Sequence, residues 1–189
     1  MRATEAGLGE LAASLAEDRD AAFPDLVHAL TGSLYSGALR LTHNRHDAEE
    51  VTQEAFLRAY RALGRYPASQ TRTLQLRPWL WTIALNLCRN HARSRSRRPQ
   101  TMPLVSDDEH VAPDSTEDAA MASTTQVWRE RLETLPEPVR TAVVLRHVVG
   151  LSYAEIASVV GRPDGTVKSD VHRGLAKLRT MLIEEGAAA

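Results

Sequence analysis

The sequence predicts an all-α protein made of two small helical domains joined by a flexible acidic linker, the second domain being a helix-turn-helix. Apolar residues recur with a period near 3.6 in many segments, and β-branched runs with period-two alternation are few. Residues 99–123 break this pattern with three prolines, several serines and threonines and six acids, a composition typical of a linker. The length of 189 residues accommodates two small domains.

Domain boundaries follow from where the helical period starts and stops. We expect a flexible tail or a frayed helix over residues 1–20, which are small and acidic, and a first domain over residues 21–98. The linker over residues 99–123 leads to the helix-turn-helix domain over residues 124–183, and residues 184–189 form a short tail.

Two helices are predicted at the start of the first domain. The first carries apolar residues at helical spacing from Phe23 to Leu41. Asp47 is predicted to cap the second, with Glu50 completing a capping box. Gly64 is predicted to end this helix, whose buried stripe repeats every four residues at Val51, Ala55, Ala59 and Leu63.

A third helix is predicted to begin at Pro78, after a loop over residues 66–77, because proline is favoured in a first helical turn. Trp79 and Trp81 are two residues apart and cannot share one helix face, so one of them is expected to be exposed or partnered by a base. Burial of both in the core is the alternative. The end of this helix is dominated by arginine: Arg89, Arg93, Arg95, Arg97 and Arg98.

Residues 152–182 have the pattern of a helix-turn-helix, with a short helix, a turn containing glycine and a longer helix with a polar outer face. Ser152 and Glu155 fit a capping box, Asp164 is predicted to cap the second helix, and Gly150 is predicted to end the helix before the motif. The apolar stripe of the second helix comprises Val167, Val171, Leu175, Leu178 and Leu182. An ordinary helical hairpin with a solvated face is the alternative interpretation.

Charge is unevenly distributed along the chain, although the net charge is only -1. Residues 1–54 carry a net charge of -6, residues 55–106 carry ten arginines and no acid, and residues 107–118 carry six acids and no base. Neutralising phosphates requires clustered cations, so the basic stretch favours a polyanion-binding face over an ordinary solvated surface.

Enzyme motifs are missing from the sequence, which has no Gly-rich phosphate loop, no His-Glu-x-x-His and no Gly-x-Ser-x-Gly, and its seven histidines are scattered. Cys88 is the only cysteine, and no Cys/His cluster has zinc-ligand spacing. We therefore predict a protein that is not an enzyme and has no cofactor or metal.

The N-terminus lacks an apolar signal-peptide core, and no apolar run approaches the ~20 residues of a membrane helix, so a cytoplasmic protein without membrane insertion is expected.

Three motifs follow one another along the chain. Residues 47–60 read DAEEVTQEAFLRAY, residues 78–86 read PWLWTIALN, and residues 151–157 read LSYAEIA and are followed by GTVKS at 165–169. In this order and spacing they resemble the sigma-70 family of bacterial RNA polymerase sigma factors, in its extracytoplasmic-function (ECF) class. The first is similar to the segment that docks on the polymerase clamp helices, the second to the segment that melts and reads the −10 element, and the third to the −35-reading helix-turn-helix.

The resemblance implies a sigma factor that binds core RNA polymerase and directs promoter recognition and melting. Its implied polymerase-binding residues are Asp47, Glu50, Gln53, Glu54 and Leu57. Its implied −10 DNA-binding residues are Trp79, Trp81, Asn86, Arg89, Asn90 and Arg93. Its implied −35 DNA-binding residues are Arg162, Thr166, Lys168, Ser169, Arg173 and Lys177.

The resemblance also implies further partners and a path for the chain. The loop over residues 66–77 takes a flipped −10 base into a pocket, and the acidic linker threads the polymerase active-site cleft. The partners are core polymerase, duplex −35 DNA, single-stranded −10 DNA and an anti-sigma protein.

Two positions differ from the residue that is usual in the family, and a third carries a residue that is unfavourable in a helix. A basic residue is usual in the family where Asp170 stands and common where Leu85 stands, and Asp170 is expected at the edge of the DNA-facing arc, where phosphates repel it. Gly174 is expected to weaken the last helix by up to ~1 kcal/mol relative to alanine.

Two other functions remain open on the sequence. One is a helix-turn-helix regulator in which residues 1–98 bind an effector or dimerise, and a pull-down with core polymerase separates it from a sigma factor. The other is a helical scaffold, which the concentration of arginine disfavours.

Overall fold

The structure is a computed structural model that describes residues 5–97, here called the first half, and residues 127–187, the second half. The predicted linker lies outside the described residues. Over these residues the chain is helical: α1 Glu5–Glu17, α2 Arg19–Thr42, α3 Arg45–Leu63, α4 Ala68–Arg72, α5 Leu76–Arg97, α6 over 127–133, α7 Glu137–Val144, α8 Tyr153–Val160 and α9 Asp164–Ala187. None of these described helices combines the length and the apolar character needed to cross a membrane.

Helices α2, α3 and α5 pack against one another as the centre of the first half. The stripe predicted on α3 is confirmed, because Val51, Ala55, Ala59 and Leu63 are all buried. Leu26, Leu30 and Leu34 line the facing side of α2 at four-residue spacing and are also buried. Gly64 follows α3 as its C-cap, as predicted.

Helix α1 replaces the tail or frayed helix predicted over residues 1–20. Leu8, Ala12 and Leu15 lie on one face of α1 and are buried, because α1 packs against α2 and α4. This short apolar stripe outweighs the small, acidic composition on which the prediction rested.

Helix starts in the first half differ from the predictions by a few residues. The N-cap of α3 is Asn44 and not Asp47, because the Asn44 side chain accepts a hydrogen bond of 2.9 Å from the Asp47 backbone N–H. Helix α5 begins at Leu76, so Pro78 lies inside its first turn, where a missing N–H costs no helical hydrogen bond. The predicted loop over residues 66–77 contains the short helix α4.

The second half confirms the helix-turn-helix. Helix α7 continues into a π-helical segment, Leu145–Val149, and ends at Gly150, whose φ of 88° lies in the left-handed region that glycine tolerates. The capping box of α8 is present: Glu155 N–H donates to Ser152 Oγ at 3.2 Å, and Ser152 N–H donates to Glu155 Oε2 at 2.7 Å. Helix α9 runs to Ala187, beyond the predicted domain end at 183.

Gly174 allows the close packing of α9 on α7. A Cβ at this position would lie 2.5 Å from Val143 Cγ2 and 2.9 Å from Val139 Cγ1, too close for either branched side chain to accommodate. The buried stripe of α9 therefore runs through Val167, Val171, Gly174 and Leu178, while Leu175 and Leu182 are exposed, contrary to the prediction.

The two halves share one apolar core instead of standing apart. This shared core takes in Trp81 and Leu85 from the first half and Val149, Ile156 and Val159 from the second. Its elements meet where α8 packs on α5 and the π-helical segment packs on α2.

The shared core is tightly packed at one glycine and has two polar contacts at its edge. A Cβ on Gly37 would lie 2.4 Å from Trp81 Cη2 and 3.0 Å from Val149 Cγ2, so only glycine fits there. At the rim, Arg89 Nε lies 3.5 Å from Glu137 Oε1, and His43 Nδ1 lies 3.5 Å from Glu133 Oε1. The described conformation is therefore closed, with the halves in direct contact.

Candidate functional surfaces

The residues implied in polymerase binding lie together on the outer side of α3. Glu50 and Gln53 are exposed, Asp47 and Glu54 are half-buried, and the apolar side chain of Leu57 is 44% exposed. Glu54 Oε1 accepts a hydrogen bond from Arg58 Nε at 2.7 Å. An acidic surface with an exposed leucine is suited to contact with another protein.

A groove of about 490 Å³ runs between α3 and α5 beside this surface. In it, His91 Nδ1 on α5 lies 3.5 Å from Asp47 Oδ1 and 3.9 Å from Glu50 Oε2, both on α3. Sequence reasoning missed this cluster because His91 is 44 positions from Asp47 and only the packing of the two helices joins them.

Most of the residues implied in −10 binding share the outer side of α5. At about 100° per residue, positions 79, 86, 90 and 93 fall within one arc. Asn86, Asn90 and Arg93 are exposed, and Arg89 at the side of the arc is half-buried and paired with Glu137. Three polar side chains are thus presented together, while Arg89 is engaged by the second half.

The two tryptophans of α5 do lie on opposite sides, but neither is exposed. Trp79 is half-buried, with its ring centroid 6.2 Å from that of Tyr66. Trp81 is 1% exposed, because it fits against Gly37 and the shared core covers it. The expectation of an exposed tryptophan is therefore wrong for this conformation, whereas a base partner for half-buried Trp79 stays a prediction.

The residues implied in −35 binding are on α9 and the turn before it. Lys168, Ser169, Arg173 and Lys177 are exposed, whereas Arg162 and Thr166 are half-buried. Helix α9 begins at Asp164, which is therefore its first residue and not its cap as predicted. Lys168 Nζ lies 2.9 Å from Asp164 Oδ2. Lys177 Nζ donates to the Thr134 carbonyl at 2.7 Å.

Asp170 is buried between two of these arginines and does not face phosphates as expected. Its side chain is 1% exposed, and its two oxygens accept hydrogen bonds of 2.5 Å from Arg162 and Arg173. This buried carboxylate on α9 restrains the neighbouring guanidinium groups, since each N–H···O bond to it is charge-assisted.

Cys88 lies in the core of the first half. Burial raises the pKa of its thiol to about 12, so the thiol stays protonated at neutral pH and is a poor nucleophile. Neither catalysis nor metal binding by this cysteine fits that environment.

Two family models match the chain in the order of its two halves. "Sigma-70 region 2" matches residues 26–98, and "Sigma-70, region 4" matches residues 125–178. Together they span well over half of the sequence.

Relatives of known class match over most of their own length. The chain is 35% identical over 161 residues to the RNA polymerase sigma-H factor of Pseudomonas aeruginosa, covering 80% of this chain and 81% of that protein. It is 31% identical over 176 residues to the ECF RNA polymerase sigma factor SigW of Bacillus subtilis, covering 87% and 90%.

Solved structures share the fold. CnrH in complex with the cytosolic domain of CnrY matches with a TM-score of 0.70 and 26% identity, over 93% of this chain and 97% of that one. The sigma factor RpoE in complex with the anti-sigma factor NepR from Bartonella quintana matches with a TM-score of 0.61 and 22% identity, over 85% and 96%.

Proposed function

Because this chain belongs to the sigma-70 family, as a sigma factor of the ECF class, we propose that its two halves divide promoter recognition between them. A sigma factor binds core RNA polymerase and directs promoter recognition and DNA melting, and it is not an enzyme. The observation that carries the division is the position of two exposed polar surfaces, on α5 and on α9, within the segments that match region 2 and region 4. The protein would act in the cytoplasm, where core polymerase and the chromosome are located.

In this proposal α3 docks on core polymerase. Leu57 would insert its exposed side chain into an apolar site of the partner, and Glu50, Gln53 and Glu54 would pair with polar groups around it. An apolar anchor surrounded by polar contacts is the usual arrangement of a protein interface.

The outer side of α5 reads the −10 strand. The stretch over residues 55–106 has ten arginines and no acid, so it attracts phosphates. Asn86 and Asn90 can donate to and accept from base edges that are accessible only once a base is unstacked. Unstacking costs a few kcal/mol, which contacts to the backbone and the flipped base offset.

Helix α9 enters the major groove at the −35 element. Arg173 presents a guanidinium suited to bidentate contact with guanine, while Lys168 at the side of the same surface suits a phosphate. Asp170 restrains Arg173 and Arg162 through hydrogen bonds. Both arginines would therefore lose little side-chain conformational entropy on binding DNA.

The closed conformation is the state without polymerase. Trp81 and Arg89 are engaged by the second half, so full contact with the −10 strand requires the halves to separate. An anti-sigma protein that favours the closed state would keep the factor inactive, and both solved structures described above hold a bound partner.

In-vitro transcription with core enzyme tests the function directly. The chain should make core polymerase initiate from a subset of a promoter library, and the double variant Glu54→Ala/Leu57→Ala should lose core binding in a pull-down while its circular dichroism stays helical. Asp25→Ala, at an exposed position on α2, is the control away from the docking surface. Promoter binding without any polymerase requirement would favour the helix-turn-helix regulator instead.

A further inference from the structure

The groove between α3 and α5 gathers donor atoms that a metal ion can use. His91 Nδ1, one carboxylate oxygen of Asp47 and one of Glu50 all lie within 4.8 Å of one another. His46 lies beside them, with Nε2 3.8 Å from Glu50 Oε1. The cluster therefore holds two carboxylates, one partly buried imidazole and a second imidazole nearby.

The distances in the cluster are longer than hydrogen bonds and close to those between ligand atoms of one metal ion. A normal N–H···O hydrogen bond spans about 2.7–3.2 Å, shorter than the 3.5 Å and 3.9 Å that separate His91 Nδ1 from the two carboxylates. Tetrahedral zinc with bonds of about 2.0–2.1 Å sets its ligand atoms about 3.4 Å apart. His91 and Asp47 are already at that separation.

The backbone beneath the cluster is held in place by packing. Ala48 and Val51 beside the α3 ligands and Leu87 one turn before His91 are buried where the two helices meet. Asp47 and Glu50 are one turn apart on α3, so they face the groove together. Glu50 and His46 are the more exposed members and can close the remaining distance by side-chain rotation.

We propose that Asp47, Glu50 and His91 bind a divalent transition metal of the zinc class, with His46 or water as the fourth ligand. The imidazole nitrogen favours Zn²⁺, Co²⁺ or Ni²⁺ over Mg²⁺ and Ca²⁺, which prefer oxygen ligands alone. This site was not predictable from the sequence, because its ligands come from two helices and lack the spacing of a linear zinc motif.

A bound ion would have a consequence for initiation, and this consequence rests on the docking function proposed for α3. Asp47 and Glu50 belong to both sets of residues, so their oxygens cannot ligate the metal and pair with polymerase at the same time. Metal binding would thus lower the affinity for core polymerase.

Metal titration of the full, tag-free chain tests the site independently of polymerase. Calorimetry should show one Zn²⁺ bound per chain, Co²⁺ should give the visible absorption of a tetrahedral site, and Mg²⁺ should give neither. Each of the variants Glu50→Gln and His91→Gln should lower the Zn²⁺ affinity at least about tenfold. His28→Gln, an exposed histidine on α2, is the matched control and should bind as the unchanged chain does.

Two results overturn the metal site: the absence of saturable Zn²⁺ binding, or unchanged affinity in both Glu50→Gln and His91→Gln. Glu50 is half in solvent, so its variant keeps the test valid even if His91→Gln destabilises the fold. Zn²⁺ should also weaken the pull-down with core polymerase for the unchanged chain. If Zn²⁺ binds with the expected variant effects but core affinity does not change, the metal site stands and the shared role of Asp47 and Glu50 in docking is wrong.

Discussion

Asp170 shows how a single buried side chain can determine where the cations of a helix surface lie. Its carboxylate is buried and accepts hydrogen bonds from Arg162 and Arg173, whose side chains remain partly exposed. A basic residue at this buried position would face the two arginines and not solvent. Here the chain uses the position to orient two arginines from neighbouring positions.

Removing the charge of Asp170 should destabilise the protein. Asp170→Asn leaves two guanidinium groups without their counter-charge, and we expect a loss of about 1–3 kcal/mol in the free energy of unfolding. This is below the range for a fully buried pair because both arginines are partly solvated. Asp170→Arg should destabilise further, since it buries a third cation, and it should not strengthen −35 binding. Urea unfolding measures both, with Ser169→Ala as the exposed control; an unchanged midpoint for Asp170→Asn would contradict this account.

Arg173 and Lys168 should differ in how they affect promoter choice. Arg173→Ala should reduce transcription from −35-dependent promoters and relax sequence preference, because a bidentate guanine contact is worth about 1–3 kcal/mol of discrimination. Lys168→Ala should weaken holoenzyme binding about equally across sequences and reduce the salt slope by about one. Transcription from a −35 library and binding at several salt concentrations separate the two. Intact promoter selection in Arg173→Ala would mean that another side of α9 faces DNA.

At the scale of elements, the packing of α9 on α7 depends on the missing side chain of Gly174. Alanine normally stabilises a helix relative to glycine by up to ~1 kcal/mol. At position 174 its Cβ would press on Val143 and Val139, so the packing cost should outweigh that gain.

Two glycine substitutions should therefore have opposite effects on stability. We expect Gly174→Ala to lower the free energy of unfolding by about 1–3 kcal/mol, whereas Gly32→Ala on α2 should raise it by up to about 1 kcal/mol. A Cβ at Gly32 meets no atom within 4 Å, which makes it the matched control. Thermal melting of both variants provides the measurement. A rise in stability for Gly174→Ala would show that α7 and α9 are less closely packed than described.

Helices were predictable from the sequence where neighbours within four residues determine them. The stripe from Val51 to Leu63, the capping box at Ser152 and the end of α7 at Gly150 depend only on local spacing and backbone chemistry, and all are confirmed. Helix α1 was missed because its stripe is short and it is stabilised by α2 and α4, which the local pattern does not contain.

The surfaces were less predictable than the helices. The exposed Leu57 follows from its place off the apolar stripe, so the outer side of α3 could be identified from spacing alone. The burial of Trp81 and Asp170 and the approach of His91 to Asp47 depend on residues distant in sequence. The roles of the individual DNA- and polymerase-binding residues remain predictions.

At the scale of the whole molecule, closed packing and charge both oppose DNA binding by the free chain. Arg89 is paired with Glu137, Trp81 is buried, and the net charge is -1, with -6 over each of residues 1–54 and 107–118. A gel shift without polymerase should therefore show weak, non-specific binding to promoter DNA. Tight, specific binding by the free chain would contradict the closed state as the inactive one.

A substitution at Gly37 that separates the two halves should strengthen DNA binding by the free chain. Gly37→Val places a branched side chain against Trp81 and Val149 and should separate the halves, which small-angle scattering detects as a larger radius of gyration. Gly32→Val, on the same helix with open space around it, is the control and should leave the radius unchanged. An unchanged radius for Gly37→Val, with helicity preserved, would show that the halves stay together without this fit.

The shared core also determines how long an unaccompanied molecule survives. Separation of the halves wets Trp81, Val149 and their apolar neighbours, and a contiguous apolar patch in water promotes self-association. The open form is equally the one in which proteases gain access to the chain. We therefore expect the closed form to aggregate and be proteolysed more slowly than the open one, because the fit around Gly37 keeps this apolar surface out of water.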